Sequence, residues 1–228
     1  MIELFTGRDE KRYPHIFKQM YEQRFDIYVT RRRWKGLKPK DGLEKDQFDT
    51  EQAIYLLAMD DRDTILAGLR LLPTTGPHIF GDLFPQLAGA GAVPRGKHIL
   101  ELTRFYVAPF GAGRDLRKWL IGIISAGMFE YGLEHGITQI SSVIDTFLLP
   151  QMLELEWRVR PLGLPFRYGE GSAVGVLIDV CEEALQSTRR IKGLTGPVLH
   201  TPSRPVPRIP ASLVLAHPTP AATPRYAH

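Results

Sequence analysis

The stretch from Arg114 to His135 is apolar on nearly every side of a helix, with Leu116, Trp119, Leu120, Ile123, Ile124, Met128 and Phe129 distributed round it. A helix without a polar face has to be buried, so the chain needs a layered core that covers it. The flanking segments supply a sheet. Ile99 to Val107 reads as a strand just before the helix and Ile137 to Ile144 as one just after it. Ala53 to Met59 and Thr64 to Leu72, joined through Asp60-Asp61-Arg62-Asp63, read as a hairpin, and Val174 to Val180 as a late strand. Pro14 suits the first turn of another helix, whose apolar face carries Phe17, Met20, Tyr21, Arg24 and Tyr28. Thr146 to Glu156 predicts a further helix. Strands alternating with helices imply an α/β domain, layered in the α+β manner, with a mixed central sheet flanked by helices. No internal repeat or second core is visible.

Charge and proline divide the chain. The net charge of +4 includes Arg204, Arg208 and Arg225, which lie beyond Gly196 in a stretch without acids, so the body is nearly neutral. That stretch also holds eight of the 18 prolines and no apolar period. Such a composition buries little surface, so 1–195 is expected to be the domain and 196–228 a flexible or loosely docked tail. The longest apolar run, Trp119 to Phe129, is about half of the roughly 20 residues a membrane span needs. Met1-Ile2-Glu3 begins no signal peptide, and a soluble, cytoplasmic protein without membrane contact is expected. The single cysteine, Cys181, forms no internal disulfide and no cysteine-based zinc cluster.

Chemistry is suggested first by Pro109-Phe110-Gly111-Ala112-Gly113, a glycine-containing turn between a strand and the buried helix. Backbone N–H groups at such a helix start favour phosphate or pyrophosphate, although the turn lacks the third glycine of a dinucleotide fingerprint and the Lys-Ser or Lys-Thr of a P-loop. Strand, turn and helix are similar to the N-acetyltransferase-like fold, whose turn holds the pantetheine carrier of an acyl thioester. The second suggestion is charge where apolar residues are expected. Arg24 falls on a helix core face, Arg70 interrupts Ile65 to Leu72, and Glu101 and Arg104 interrupt the strand at 99–107. Buried charges need partners of opposite sign. The aperiodic segment 31–52 offers them as Glu44, Asp46 and Asp49. Its length marks it as a functional or disordered loop.

Arg24, Tyr28, Trp34, the run Glu44-Lys45-Asp46-Gln47-Phe48-Asp49, Arg70 and Glu101-Leu102-Thr103-Arg104-Phe105, in this order and at these spacings, resemble the signature of acyl-homoserine lactone synthases of the LuxI type over roughly residues 1–190. Tyr28 replaces the Phe commoner there, and Thr103 is an accepted variant of Ser. The resemblance implies an N-acetyltransferase-like fold and an enzyme without metal or cofactor. It implies that the α-amine of S-adenosylmethionine takes an acyl group from a thioester and that its carboxylate then closes a lactone, expelling methylthioadenosine. On this reading Trp34 stacks on adenine or faces the sulfonium, Asp46 and Asp49 hold the amine and orient the loop, and Arg24, Arg70 or Arg104 receives the carboxylate. Glu101 is expected to help deprotonate the amine, directly or through water. Phe84, Phe105, Ser142, Val143 and Leu155 are expected to line the acyl pocket. In a regular strand Glu101 and Thr103 face one way and Arg104 the other, so either convergence needs a bulge or strong twist, or Arg104 serves the loop network while Glu101 and Thr103 face the acyl thioester. The loop is expected to be partly disordered before S-adenosylmethionine binds, because its charges would find partners only in the filled site.

Relatives that use acyl carrier protein tend to present bases on the helix after the 137–144 strand. Here Leu148 to Glu156 carries two acids and no base, although Arg158, Arg160 and Arg167 lie nearby. An acyl-coenzyme A donor with a short, branched or aromatic acyl group is therefore favoured over acyl carrier protein. An ordinary N-acetyltransferase acting on a small amine is the alternative, and it leaves the charged 31–52 loop unexplained. Acids follow Arg31-Arg32-Arg33, Lys35, Lys38 and Lys40 closely, so no nucleic-acid partner is expected. The histidines are too scattered for a metal site, and no Gly-x-Ser-x-Gly elbow of a serine hydrolase occurs.

Overall fold

The computed structural model describes residues 1–109, 113–169, 171–201 and 203–215. Among these, eight strands form one sheet: β1 (Ile2–Thr6), β2 (Ile54–Met59), β3 (Ile65–Pro73), β4 (Ile99–Val107), β5 (Gln139–Asp145), β6 (Val159–Pro161), β7 (Phe166–Tyr168) and β8 (Gly171–Asp179). Their order is β1-β2-β3-β4-β5-β8-β6, with β7 also on β8. Only β4 and β5 run parallel. The helices are α1 (Pro14–Arg24), α2 (Ile79–Leu83), α3 (Arg114–Glu134), α4 (Leu149–Glu154), α5 (Glu182–Lys192) and α6 (Ala211–Leu215).

Both faces of the sheet are covered, which is why β2 and, apart from Arg70, β3 read as apolar runs. On one face Leu71, Leu100, Leu102 and Val176 pack with Ile123, Met128 and Phe129 of α3 and Leu185 of α5. On the other, Phe17, Met20 and Tyr21 of α1 pack with Tyr55, Leu57 and Leu72. Phe80 of α2 and Leu87 from the following 3-10 turn meet Ala173 there.

The mixed sheet flanked by helices is as expected. The helix after Pro14 is α-helical only to Arg24 and continues as a π-helical segment over Phe25–Arg31, so Tyr28 remains on a helical turn. Thr146 to Glu156 divides into a 3-10 turn and α4. The structure also contains β1, β6, β7 and α5, which the sequence reading did not identify. Among the described residues no helix is long and apolar enough to cross a membrane.

Of the stretch expected as a flexible or loosely docked tail, the described part lies on the outer edge of the sheet. Ile2 donates its N–H to Val198 O at 2.9 Å, and Ile209 donates to Met59 O at 3.2 Å. Val198, Leu199 and Ile209 are buried. The anchor is Glu130, a buried carboxylate on α3 that accepts N–H bonds from Val198 at 3.0 Å, Leu199 at 2.9 Å and the Arg189 side chain at 2.8 Å. With Ala211, these apolar residues cover an edge strand that otherwise presents unpaired backbone groups.

Candidate active site

Leu100 and Leu102 of β4 face α3, so the pleat turns Glu101 and Thr103 toward α1 and α2. A regular strand would return Arg104 to the α3 side. Instead the β3–β4 register passes from Gly68↔Tyr106 to Arg70↔Thr103, placing an extra residue on β4, and Arg104 adopts φ +50. This is the bulge that convergence required. A non-glycine residue in the left-handed region costs about 1–3 kcal/mol, so its surroundings must hold it there.

The 31–52 loop holds it. Arg104 Nη2 donates to Glu44 Oε1 at 2.8 Å and to Asp46 Oδ2 at 2.9 Å. Arg24 donates through Nε to Glu44 at 2.6 Å and through both terminal nitrogens to Asp49 at 2.8 and 2.9 Å. Arg70 Nη1 reaches Asp46 at 2.7 Å and Asp49 at 2.6 Å, while its Nε donates to Thr103 Oγ1 at 3.0 Å. Three guanidiniums thus meet three carboxylates in a charge-balanced lattice, and Arg24, Arg70 and Glu44 are almost fully buried. Burial pushes the Asp49 carboxyl up, but Arg24 and Arg70 outweigh it and hold the group well below the usual carboxylate range. Glu44 is lowered in the same way, against its burial, by Arg24 and Arg104. The loop acids therefore have partners within the protein, which corrects the expectation that only a filled site would supply them.

Tyr28 and Trp34 stack beside this lattice, their rings 4.7 Å apart and 25° from parallel. The Tyr28 hydroxyl donates to Phe105 O at 3.2 Å, and burial raises its pKa to about 12. The Arg104 guanidinium lies 5.3 Å from the Tyr28 ring centre and 5.9 Å from that of Trp34. An electron-rich surface suited to an adenine or a sulfonium thus adjoins groups able to bind a carboxylate and an ammonium.

Glu101 is fully buried at the edge of this ensemble. Its carboxylate accepts the Ile79 N–H at 2.8 Å and the Phe80 N–H at 2.7 Å, and so ties α2 to β4. Burial raises its pKa to about 7, opposed by those two N–H groups. A carboxylate so tuned exchanges protons near neutrality.

β4 pairs with β5 only over Ile99–Glu101 and Gln139–Ser141. Beyond that point β4 stays with β3 and β5 with β8, opening a wedge directly beyond Glu101. Ser142 Oγ donates to Leu102 O at 2.9 Å across its apex. The expected acyl-pocket residues do not share one surface. Phe105 and Leu155 belong to the α3-side core, whereas Val143 packs beside Phe80 on the opposite side. Phe84, at the end of α2, is partly exposed. The Gly-x-Gly turn lies largely outside the described residues, at 110–112.

The sequence reading missed the Tyr55 hydroxyl, which donates to Asp49 at 2.9 Å, and the N–H groups of α2 that Glu101 holds. Tyr55 looks like any inward residue of an apolar strand, and α2 is one short turn inside a segment rich in glycine and proline. Among the described residues no group of three or more His, Cys, Asp or Glu is placed to hold a metal ion.

A sequence model of the autoinducer synthase family matches residues 9–188. The isovaleryl-homoserine lactone synthase of Bradyrhizobium diazoefficiens is 32% identical over 186 residues, spanning 81% of this chain and 82% of that protein. The CoA-dependent acyl-homoserine lactone synthase MesI superimposes with a TM-score of 0.79 at 38% identity, covering 87% of this chain and 98% of its own. BjaI, a CoA-dependent acyl-homoserine lactone synthase solved with S-adenosylmethionine and isopentyl-CoA, gives 0.79 at 30% identity, covering 93% and 97%. A Lactobacillus plantarum protein assigned as an N-acetyltransferase gives 0.51 at 15% identity, covering 79% and 99%, and this likeness marks the fold alone.

Proposed function

The chain belongs to the autoinducer synthase family and is an acyl-homoserine-lactone synthase, and from that premise we propose how its residues divide the work and that its donor is a short or branched acyl-coenzyme A. The observation that carries this reading is the lattice of Arg24, Arg70 and Arg104 with Glu44, Asp46 and Asp49 beside the Tyr28–Trp34 stack, opening onto the wedge between β4 and β5.

S-adenosylmethionine places its adenine and sulfonium against Trp34 and Tyr28. Asp46 and Asp49 attract its ammonium, and one of Arg24, Arg70 and Arg104 takes its carboxylate. The thioester enters the wedge on the α1–α2 side, with Thr103 and Val143 along its walls, Ser142 at its apex and Phe84 at its rim, while Phe105 stays in the α3-side core. Glu101 accepts the proton that the ammonium must lose, directly or through water. The amine nitrogen then attacks the thioester carbonyl, the C–S bond breaks, and the thiol leaves with a proton. A substrate carboxylate oxygen next attacks the γ-carbon. The bond from that carbon to the sulfonium breaks, its electron pair stays on sulfur, and methylthioadenosine departs. Holding carboxylate and γ-carbon together supplies effective molarities of about 10⁵–10⁸ M, so the closure needs little further help. No cofactor enters this scheme, and the cytoplasm is its proposed setting.

The donor reading is supported by the segment Leu148 to Glu156, which carries two acids and no base and so does not favour an acidic carrier protein. The test compares one branched acyl group presented on coenzyme A and on acyl carrier protein. Higher kcat/KM with the coenzyme A thioester is expected, and a preference for the carrier protein would overturn the donor assignment.

A further inference from the structure

Two cations lie on the Tyr28–Trp34 stack, and they are held very differently. Arg104 is fixed by Glu44 and Asp46 at 2.8 and 2.9 Å. Arg32, at the end of the π-helical segment, lies 5.8 Å from the Tyr28 ring centre and 5.5 Å from that of Trp34. Among the described residues its one acidic partner is Asp145, with Nη1 to Oδ2 at 3.9 Å, and the Arg32 side chain is 40% exposed. Asp145 ends β5 and is steadied by the Tyr168 hydroxyl of β7, which donates to Oδ1. The contact therefore joins the two lips of the wedge, the loop that carries Trp34 and the end of β5, which the Tyr168 hydroxyl of β7 also holds.

We propose that Arg32 is a displaceable resident cation on the aromatic pair and Asp145 the acceptor that receives it, so that arrival of the substrate's sulfonium moves Arg32 fully onto Asp145 and latches the wedge. This rests on the reading that the aromatic pair seats S-adenosylmethionine. A sulfonium cannot share the aromatic faces with two guanidiniums without charge repulsion, and Arg104 is bound too firmly to leave. Arg32 has a loose contact and a carboxylate within reach. Both are positioning residues, because they act through the seat and the latch rather than on the reacting atoms.

The test separates charge from shape by comparing S-adenosylmethionine with methylthioadenosine, which has the same nucleoside without the sulfonium. Calorimetry on the full chain is expected to show the ratio of their affinities rising about two- to fivefold in Arg32→Ala, the scale of a cation–π contact. Asp145→Asn should lower the ratio by a similar factor, and should change nothing further when combined with Arg32→Ala. Lys35→Ala, which removes an exposed charge from the same segment, should leave the ratio as it is. In turnover, the Asp145→Asn effect should fall on KM for S-adenosylmethionine rather than on kcat. An unchanged ratio in Arg32→Ala, an equal rise in Lys35→Ala, or an Asp145→Asn effect that survives in the Arg32→Ala background would each overturn the latch. Wild-type protein that binds neither ligand would refute the seat itself and the latch with it, whereas binding without these shifts refutes the latch alone.

Discussion

Replacing Asp49 by Asn keeps the shape of the most heavily used acid in the lattice and removes its charge. Its two oxygens accept from Arg24 at 2.8 and 2.9 Å, from Arg70 at 2.6 Å, from the Tyr55 hydroxyl at 2.9 Å and from the Asp46 N–H at 2.8 Å. The variant leaves three buried guanidiniums facing two carboxylates. Removing one member of a buried ion pair costs about 3–5 kcal/mol. For a domain of this size that lowers Tm by roughly 6–20 °C. Adding Arg70→Met restores the charge balance, so the double variant should recover a measurable part of the loss instead of summing the two single effects. The pH dependence follows from the sign of the shift. Asp49 titrates lower folded than unfolded, so its stabilisation is present above about pH 4, the unfolded value, and is lost as the pH falls below that. Wild type should therefore lose stability more steeply than Asp49→Asn below pH 4. Thermal unfolding followed by circular dichroism across pH measures all of this. A drop under about 2 °C at pH 7, or strict additivity in the double variant, would refute the view that the lattice is mutually dependent.

Three further outcomes follow from the same geometry. Glu101→Gln should lower kcat by about 10²–10⁴ and remove the rise of rate with pH centred near 7, whereas a retained profile would exclude Glu101 as the proton acceptor. Trp34→Ala should weaken both S-adenosylmethionine and methylthioadenosine in calorimetry, since both present the adenine that stacks there, and weakening of the charged ligand alone would mean that Trp34 serves only the sulfonium. Deleting residues 197–228 removes buried Val198, Leu199 and Ile209, each worth about 1.5–3 kcal/mol, and bares β1, so low Tm and aggregation are expected, and a soluble variant of unchanged Tm would contradict the docking.

The central elements were legible because each carried a pattern that physics leaves little freedom to place. A helix as apolar as α3 has to be buried, and the runs in β2 and β3 are what strands covered on both faces look like. The site acids and arginines were legible for a related reason: charge inside apolar segments demands partners, and Glu44, Asp46 and Asp49 were the acids at hand. What stayed hidden depends on contacts between distant segments. The need for a bulge in β4, if its charges were to converge, followed from the sequence, but its place at Arg104 is set by register against β3. α2 is a single turn whose N–H groups are held by Glu101, 21 and 22 residues further along the chain. The stretch after Gly196 reads as flexible or loosely docked by composition, and its described part is held by Glu130 and the open edge of β1, which lie far from it in sequence. Arg32 sits within an exposed basic run, and only the stack beneath it and Asp145 across the wedge distinguish it from its neighbours.

The most direct test of the central claim is mass spectrometry of the purified protein turning over S-adenosylmethionine labelled with ¹⁵N at its α-amine and a branched acyl-coenzyme A. The account predicts an acyl-homoserine lactone that carries the label in its amide, with methylthioadenosine and free coenzyme A released in equal amounts. Coenzyme A released without methylthioadenosine, or acylation of some other amine while the sulfonium stays intact, would contradict it and leave an ordinary N-acetyltransferase in its place.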